Sequence, residues 1–165
     1  MTKQYAEIQC LLAANKLEGL AGKGASEDQV RACERDLNLR FPLSYRLFLR
    51  EFGWGYFGSL ELIAGLGSDI PKEWERGANV LHIVTDERQG PLHIKQGVIP
   101  FCQNGAGDWY ALDDSKGDGE WPVVFIAHEE SVLGDVSANK CADSFADWIF
   151  AKLSDNPETR AKKGG

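Results

Sequence analysis

Carboxylates are the most crowded reactive side chains of this chain. Asp108, Asp113, Asp114, Asp118 and Glu120 share one short stretch, and Glu129, Glu130 and Asp135 follow it. Paired acids can pass protons in glycoside chemistry, but the spacing singles out no pair. A calcium loop would need alternating oxygen ligands, a central glycine and a terminal Glu, and that pattern is absent. Two readings stay open: a solvated acidic edge, the ordinary fate of a charge run, or a docking surface for a basic protein.

Other chemistries find less support. The four cysteines, Cys10, Cys33, Cys102 and Cys141, form no CxxC pair and have no histidine at zinc-ligand spacing. His82, His93 and His128 stand apart from one another, and no GxSxG marks a nucleophilic serine. The run Gly53-Trp54-Gly55-Tyr56-Phe57-Gly58 has glycine spacing close to a dinucleotide fingerprint. Those glycines follow a helical pattern instead of opening one, so no helix N-terminus would meet a pyrophosphate. The expectation is no catalytic residue, no metal and no cofactor.

The whole-chain balance points the same way. The 165 residues carry a formal net charge of -7, with 43% hydrophobic residues. Such a balance opposes grip on a phosphate backbone and suits a basic protein partner. No apolar run approaches the roughly 18 residues of a membrane span. Met1-Thr2-Lys3-Gln4 leads straight into a helical pattern with no signal-peptide character. A reduced, cytoplasmic protein without membrane or nucleic-acid partners is expected.

The elements that must position these groups follow from periodicity. Residues 5–17 read as a helix. Ser26-Glu27-Asp28-Gln29 is a capping box, with Val30, Cys33 and Leu37 on one face behind it. Pro42 is expected to open the next helix, where Tyr45, Phe48, Leu49 and Phe52 share a stripe. Gly53 is placed to end it in the left-handed region. Ser59–Ile63 reads as a first strand, and helical pieces are expected around Trp74 and Val80–Val84. Residues 98–113 read as an antiparallel hairpin whose turn needs positive φ at Gly105 or Gly107, with the Asp108 carboxylate accepting turn N–H groups. Val123–Ala127 is a central strand, and Ser144 starts a last helix with Phe145, Trp148, Ile149 and Leu153 inward. Phe101, Phe125 and Ile126 join the core. The domain is expected to span 1–153, with a polar tail over 154–165.

The order of these pieces resembles the SUKH superfamily, which includes fungal cell-wall assembly regulators and many bacterial toxin-immunity proteins. The resemblance begins with the capped helix Ser26–Leu37 and the phrase Arg40-Phe41-Pro42-Leu43-Ser44-Tyr45-Arg46-Leu47-Phe48-Leu49. It continues through Phe52-Gly53-Trp54-Gly55, where the family's asparagine is replaced. Val98-Ile99-Pro100-Phe101 and Gly105-Ala106-Gly107-Asp108-Trp109-Tyr110-Ala111-Leu112-Asp113 match its strand–turn–strand. Pro122-Val123-Val124 and the helix Ser144-Phe145-Ala146-Asp147-Trp148 complete a match over 26–153, poorest over 59–97.

The resemblance implies a single α+β domain, a mainly antiparallel sheet with helices packed against it. It implies no catalytic centre, and a non-enzymatic immunity protein that neutralises a cognate toxin, often a nuclease, by direct binding. A regulatory scaffold of the cell-wall type is the alternative, and a small hydrolase using the acidic edge is the third reading. Nuclease toxins are basic because they grip phosphates, so an acidic inhibitor would associate fast. The expected partner surface comprises Asp108, Asp113, Asp114, Asp118, Glu120, Glu129 and Glu130, with Trp54, Tyr56 or Trp109 as aromatic anchors. Of the aromatics Trp54, Tyr56, Trp74, Trp109 and Trp121, at least three are expected in the core.

Overall fold

The computed structural model describes residues 3–90, 94–114, 119–127 and 139–154. Helix α1 spans Lys3–Asn15 and ends where the Asn15 side-chain amide turns back to donate to the Leu11 carbonyl at 2.8 Å. Residues Lys16–Ala21 then form strand β1, so the helix expected to reach residue 17 stops two residues early. Helix α2, Glu27–Leu37, opens with both halves of the capping box: Gln29 N–H donates to Ser26 Oγ, and Ser26 N–H donates to Gln29 Oε1. Its buried face is Val30, Cys33 and Leu37, as the spacing requires.

Helix α3, Leu43–Glu51, follows Pro42, which is the capping residue and not the first helical one. Proline offers no capping oxygen. Glu120, far along the chain, supplies it instead: Oε1 accepts from Ser44 N–H at 2.8 Å and Oε2 from Ser44 Oγ–H at 2.6 Å. The far end closes on Gly53, whose φ of 79° lets its N–H reach back to the Phe48 carbonyl.

Strand β2 is Gly55–Phe57 and pairs antiparallel with β1. The strand expected at Ser59–Ile63 is instead an irregular crossing, in which only Ile63 bridges, to Gly55 on one side and Cys102 on the other. A 3₁₀ turn, Lys72–Trp74, leads into the short helix α4, Glu75–Ala78, and then α5, Val80–Gln89, where Asn79 caps Leu81 N–H. Strands β3 Val98–Gln103, β4 Trp109–Asp113, β5 Val123–Ile126 and β6 Lys140–Ala142 form one antiparallel sheet in that order. Pro100 is tolerated because β3 is an edge strand with a register shift beside it. Helix α6, Phe145–Ser154, begins after Ser144, whose Oγ accepts from Asp147 N–H.

The core is aromatic. Tyr45 and Phe48 of α3 meet Phe145 of α6 at ring separations of 5.2 and 5.3 Å, and Phe101 of β3 meets Trp148 at 5.0 Å. The Tyr45 hydroxyl is satisfied by the Ala64 carbonyl at 2.8 Å. Of the expected core residues, Phe125 alone is half-buried; it stacks edge-on with Tyr110, on the sheet face under α6. The opposite side of β4, at Trp109, looks toward Ile83 of α5. The result is an α+β domain with helices against two antiparallel sheets.

Candidate functional site

Strand geometry divides the acidic residues that the sequence groups together. Asp108 precedes β4 and Asp114 follows it, six positions apart. At about 3.3 Å per residue they stand roughly 20 Å apart, at opposite ends of the hairpin. They cannot form one patch.

The individual carboxylates are also spoken for in different ways. Asp113 is only 3% exposed, so it is part of the interior and not of a docking surface. Glu120 is the cap of α3 described above. Asp114 lies against Gly97, and burial together with the neighbouring Asp113 raises its pKa above the usual carboxylate range. Asp118, Glu129, Glu130 and Asp135 lie outside the described residues, as do His93, His128 and the 155–165 part of the expected tail.

At the hairpin turn, Gly105 and Gly107 have φ of 84° and 92°. The turn N–H groups of Ala106 and Asp108 donate to Asn104 Oδ1, and the Asn104 amide donates to Asp108 Oδ2 at 2.9 Å. The role expected of the Asp108 carboxylate at those two amides therefore belongs to Asn104. Asparagine carries both an acceptor and a donor, so it can serve the loop and its neighbour at once.

Two of the three expected anchors are interior residues. Trp54 is 3% exposed; its indole N–H donates to Asp69 Oδ1 at 2.9 Å, and it packs in a small second core with Ile70 and Ala78. Trp109 is 8% exposed, and Trp121 is buried too. An indole so enclosed has little surface left to give a partner. Tyr56 is half-buried, as is Trp74, which it meets edge-on.

Tyr56 and Trp109 nevertheless come together. They wall a cleft of about 340 Å³ at the turn end of the hairpin, lined also by Leu62, Glu61, Glu87 and Arg76. The Glu61 carboxylate lies over the hairpin turn, close enough that a Cβ on Gly105 would sit 3.1 Å from its Oε1. Partial burial and the nearby Asp86 raise the pKa of Glu87. Glu61 and Glu87 are the residues that sequence reasoning missed. Both fall in the 59–97 region, outside the acidic run that stands out in the sequence, and only the crossing of residue 63 onto β3 brings Glu61 beside Trp109.

The cleft can offer aromatic surface and carboxylate acceptors to a cationic side chain. Among the described residues, no three of His, Cys, Asp and Glu are grouped to hold a metal ion. The buried thiols Cys33 and Cys102 are both pushed up to about 12 by burial, so they are poor nucleophiles. His82 is exposed on α5, 3.8 Å from a Glu75 oxygen. No helix among the described residues is long and apolar enough to cross a membrane.

Known proteins extend this picture. In three dimensions the chain is similar to a crystal structure of a protein from Pseudomonas syringae pv. tomato, with a TM-score of 0.60 over 86% of this chain and 91% of that one. Sequence identity between the two is 19%, so the likeness is one of fold. A family model described as SMI1-KNR4 cell-wall (SUKH_6) matches residues 27–149, from the first residue of α2 to the middle of α6. With most of its length matched by that model, the chain belongs to the SMI1-KNR4 family of the SUKH superfamily.

Proposed function

We propose that this protein is a non-enzymatic, cytoplasmic immunity protein that neutralises a basic protein toxin by direct binding, with no metal or cofactor. Tyr56, Glu61 and Glu87 in the cleft that Trp109 walls are its contact surface, with Asp108 on the adjoining turn. The observation that carries the reading is that cleft, on a chain of net charge -7. Acids around an aromatic centre give a cationic partner both a fast approach and a place to anchor. Family membership supports protein binding in general, and many SUKH members are inferred to act on toxins.

The words cell-wall in the matched family's description favour a second reading, a regulatory scaffold. Co-expression separates the two. The chain is produced together with each candidate toxin encoded near its gene, and growth is scored. Rescue of growth with a complex that co-purifies supports immunity. No rescue from any neighbouring toxin, with growth defects confined to the cell envelope when the gene is deleted, supports the scaffold.

A further inference from the structure

The opposite end of the hairpin carries a larger concavity of contrary charge. A groove of about 1330 Å³ runs between α2, the start of α3 and the end of β4. Four arginines line it, Arg31, Arg35, Arg40 and Arg46, against three carboxylates, Glu27, Glu34 and Asp114. On a chain of net charge -7, that is a local inversion of sign.

The arginines divide into two kinds. Arg46 is fixed: its Nη1 donates to Glu27 at 3.0 Å and its Nε to Glu34 at 3.2 Å. Glu27 also pairs with Arg31 and Arg50, and the hydrogen bond from Arg46, helped by Arg31, holds its carboxyl down to about 2. Glu34 is further occupied by the Phe41 N–H. Both carboxylates are thus consumed. Arg35 and Arg40 are exposed and have no ion-pair or hydrogen-bond partner among the described residues. Leu43 also lines the groove and is 58% exposed, the most exposed of the large apolar side chains among the described residues.

We infer that this groove is a docking site for an extended acidic segment of a protein, with Arg35 and Arg40 pairing its carboxylates and Leu43 meeting an apolar side chain. The volume exceeds the roughly 300–1,000 Å³ of small-molecule pockets, which suits a length of chain. Guanidinium forks grip carboxylates in two-point fashion, and these two have no ion-pair partner among the described residues. A nucleic acid is disfavoured, because the net charge opposes a continuous line of phosphates and Glu27 and Asp114 border the groove. The site is independent of the toxin-binding cleft and of its test.

The probe is a fluorescein-labelled twelve-residue peptide of Glu and Leu, followed by fluorescence anisotropy at low salt. A Lys and Leu peptide and a single-stranded oligonucleotide serve as competitors. Saturable binding of the acidic peptide is expected, weakened about tenfold or more by R35E/R40E. Leu43→Asp should weaken it as well, and unchanged melting temperatures show that both variants fold. Absence of saturation, equal affinity for wild type and R35E/R40E, or displacement by the oligonucleotide as effective as by unlabelled acidic peptide would each overturn the inference.

Discussion

The two ends of the β3–β4 hairpin both carry acidic residues in the sequence, yet their surroundings differ in charge. At the turn end, Glu61 and Glu87 stand around Tyr56 and Trp109 in a small cleft. At the other end, Asp114 borders a groove governed by arginines, and Glu120 is committed to the start of α3. Acids that are neighbours in sequence are held apart by the length of a strand. Acids that are distant in sequence meet because a loop crosses a sheet edge. Charge therefore has to be counted by location, and the net value of -7 conceals a basic groove.

The sharpest way to break this contrast is at Trp54. If it is structural, Trp54→Ala should cost about 3–5 kcal/mol in denaturant unfolding, since a buried indole and its bond to Asp69 are lost. Tyr56→Ala, at a half-buried position, should cost much less stability and instead speed partner dissociation, by about 2 kcal/mol. A Trp54→Ala variant that melts normally but binds poorly would reverse these assignments.

A second effect probes the interior beneath both ends. Cys33 lies on α2 below the arginine groove, and Cys102 on β3 near the cleft. Their folded pKa of about 12 exceeds the ordinary thiol value of 9.0. Above pH 9 the unfolded chain releases these protons while the folded chain keeps them. Stability is therefore full below 9 and falls as pH rises toward 12, by about 3 kcal/mol from each thiol near pH 11. Denaturant titrations of wild type and Cys102→Ala should show a shallower alkaline fall in the variant. Identical curves would contradict the burial of that thiol.

Charge reversal distinguishes the ends by sign. Glu61→Lys with Glu87→Lys should slow association with a basic partner about tenfold at low salt and flatten its salt dependence. Arg35→Glu with Arg40→Glu should leave that rate equal or higher, because the surface becomes more acidic. Surface plasmon resonance reads both, and slowing by the arginine variant would place the basic partner in the groove. The smallest effect is at the turn. Gly105→Ala at a φ of 84° should cost about 1 kcal/mol and push Glu61 aside, read as a lowered melting temperature.

Much of the scaffold was legible in the sequence because helices and hairpins declare themselves locally. Ser26 and Gln29, the Tyr45–Phe52 stripe and the turn glycines each need only their neighbours. Strand β6 and the pairing of β1 with β2 were not legible: three-residue strands carry too short an alternation, and Lys16–Ala21 continued a helical pattern. The site was legible only in fragments. Tyr56 and Trp109 were named as anchors, but burial decides that Trp109 is a wall, and that decision depends on α5 and the crossing at Ile63. Asp113 looked like its neighbours in sequence, and only its place at the end of an interior strand removes it from the surface. Arg35 and Arg40 stood out in no charge pattern, since their lack of ion-pair partners among the described residues follows from Arg46 pairing with Glu27 and Glu34.

The claim at the centre of this account is neutralisation by direct binding, and titration of a toxin tests it most directly. Proteins encoded beside the gene are screened for toxicity, and any toxin found is purified and assayed on its own substrate while this protein is added in increasing amounts. The account predicts loss of toxin activity that is complete near one-to-one stoichiometry and weakened by Glu61→Lys with Glu87→Lys. Full toxin activity at a large molar excess of this protein would contradict it.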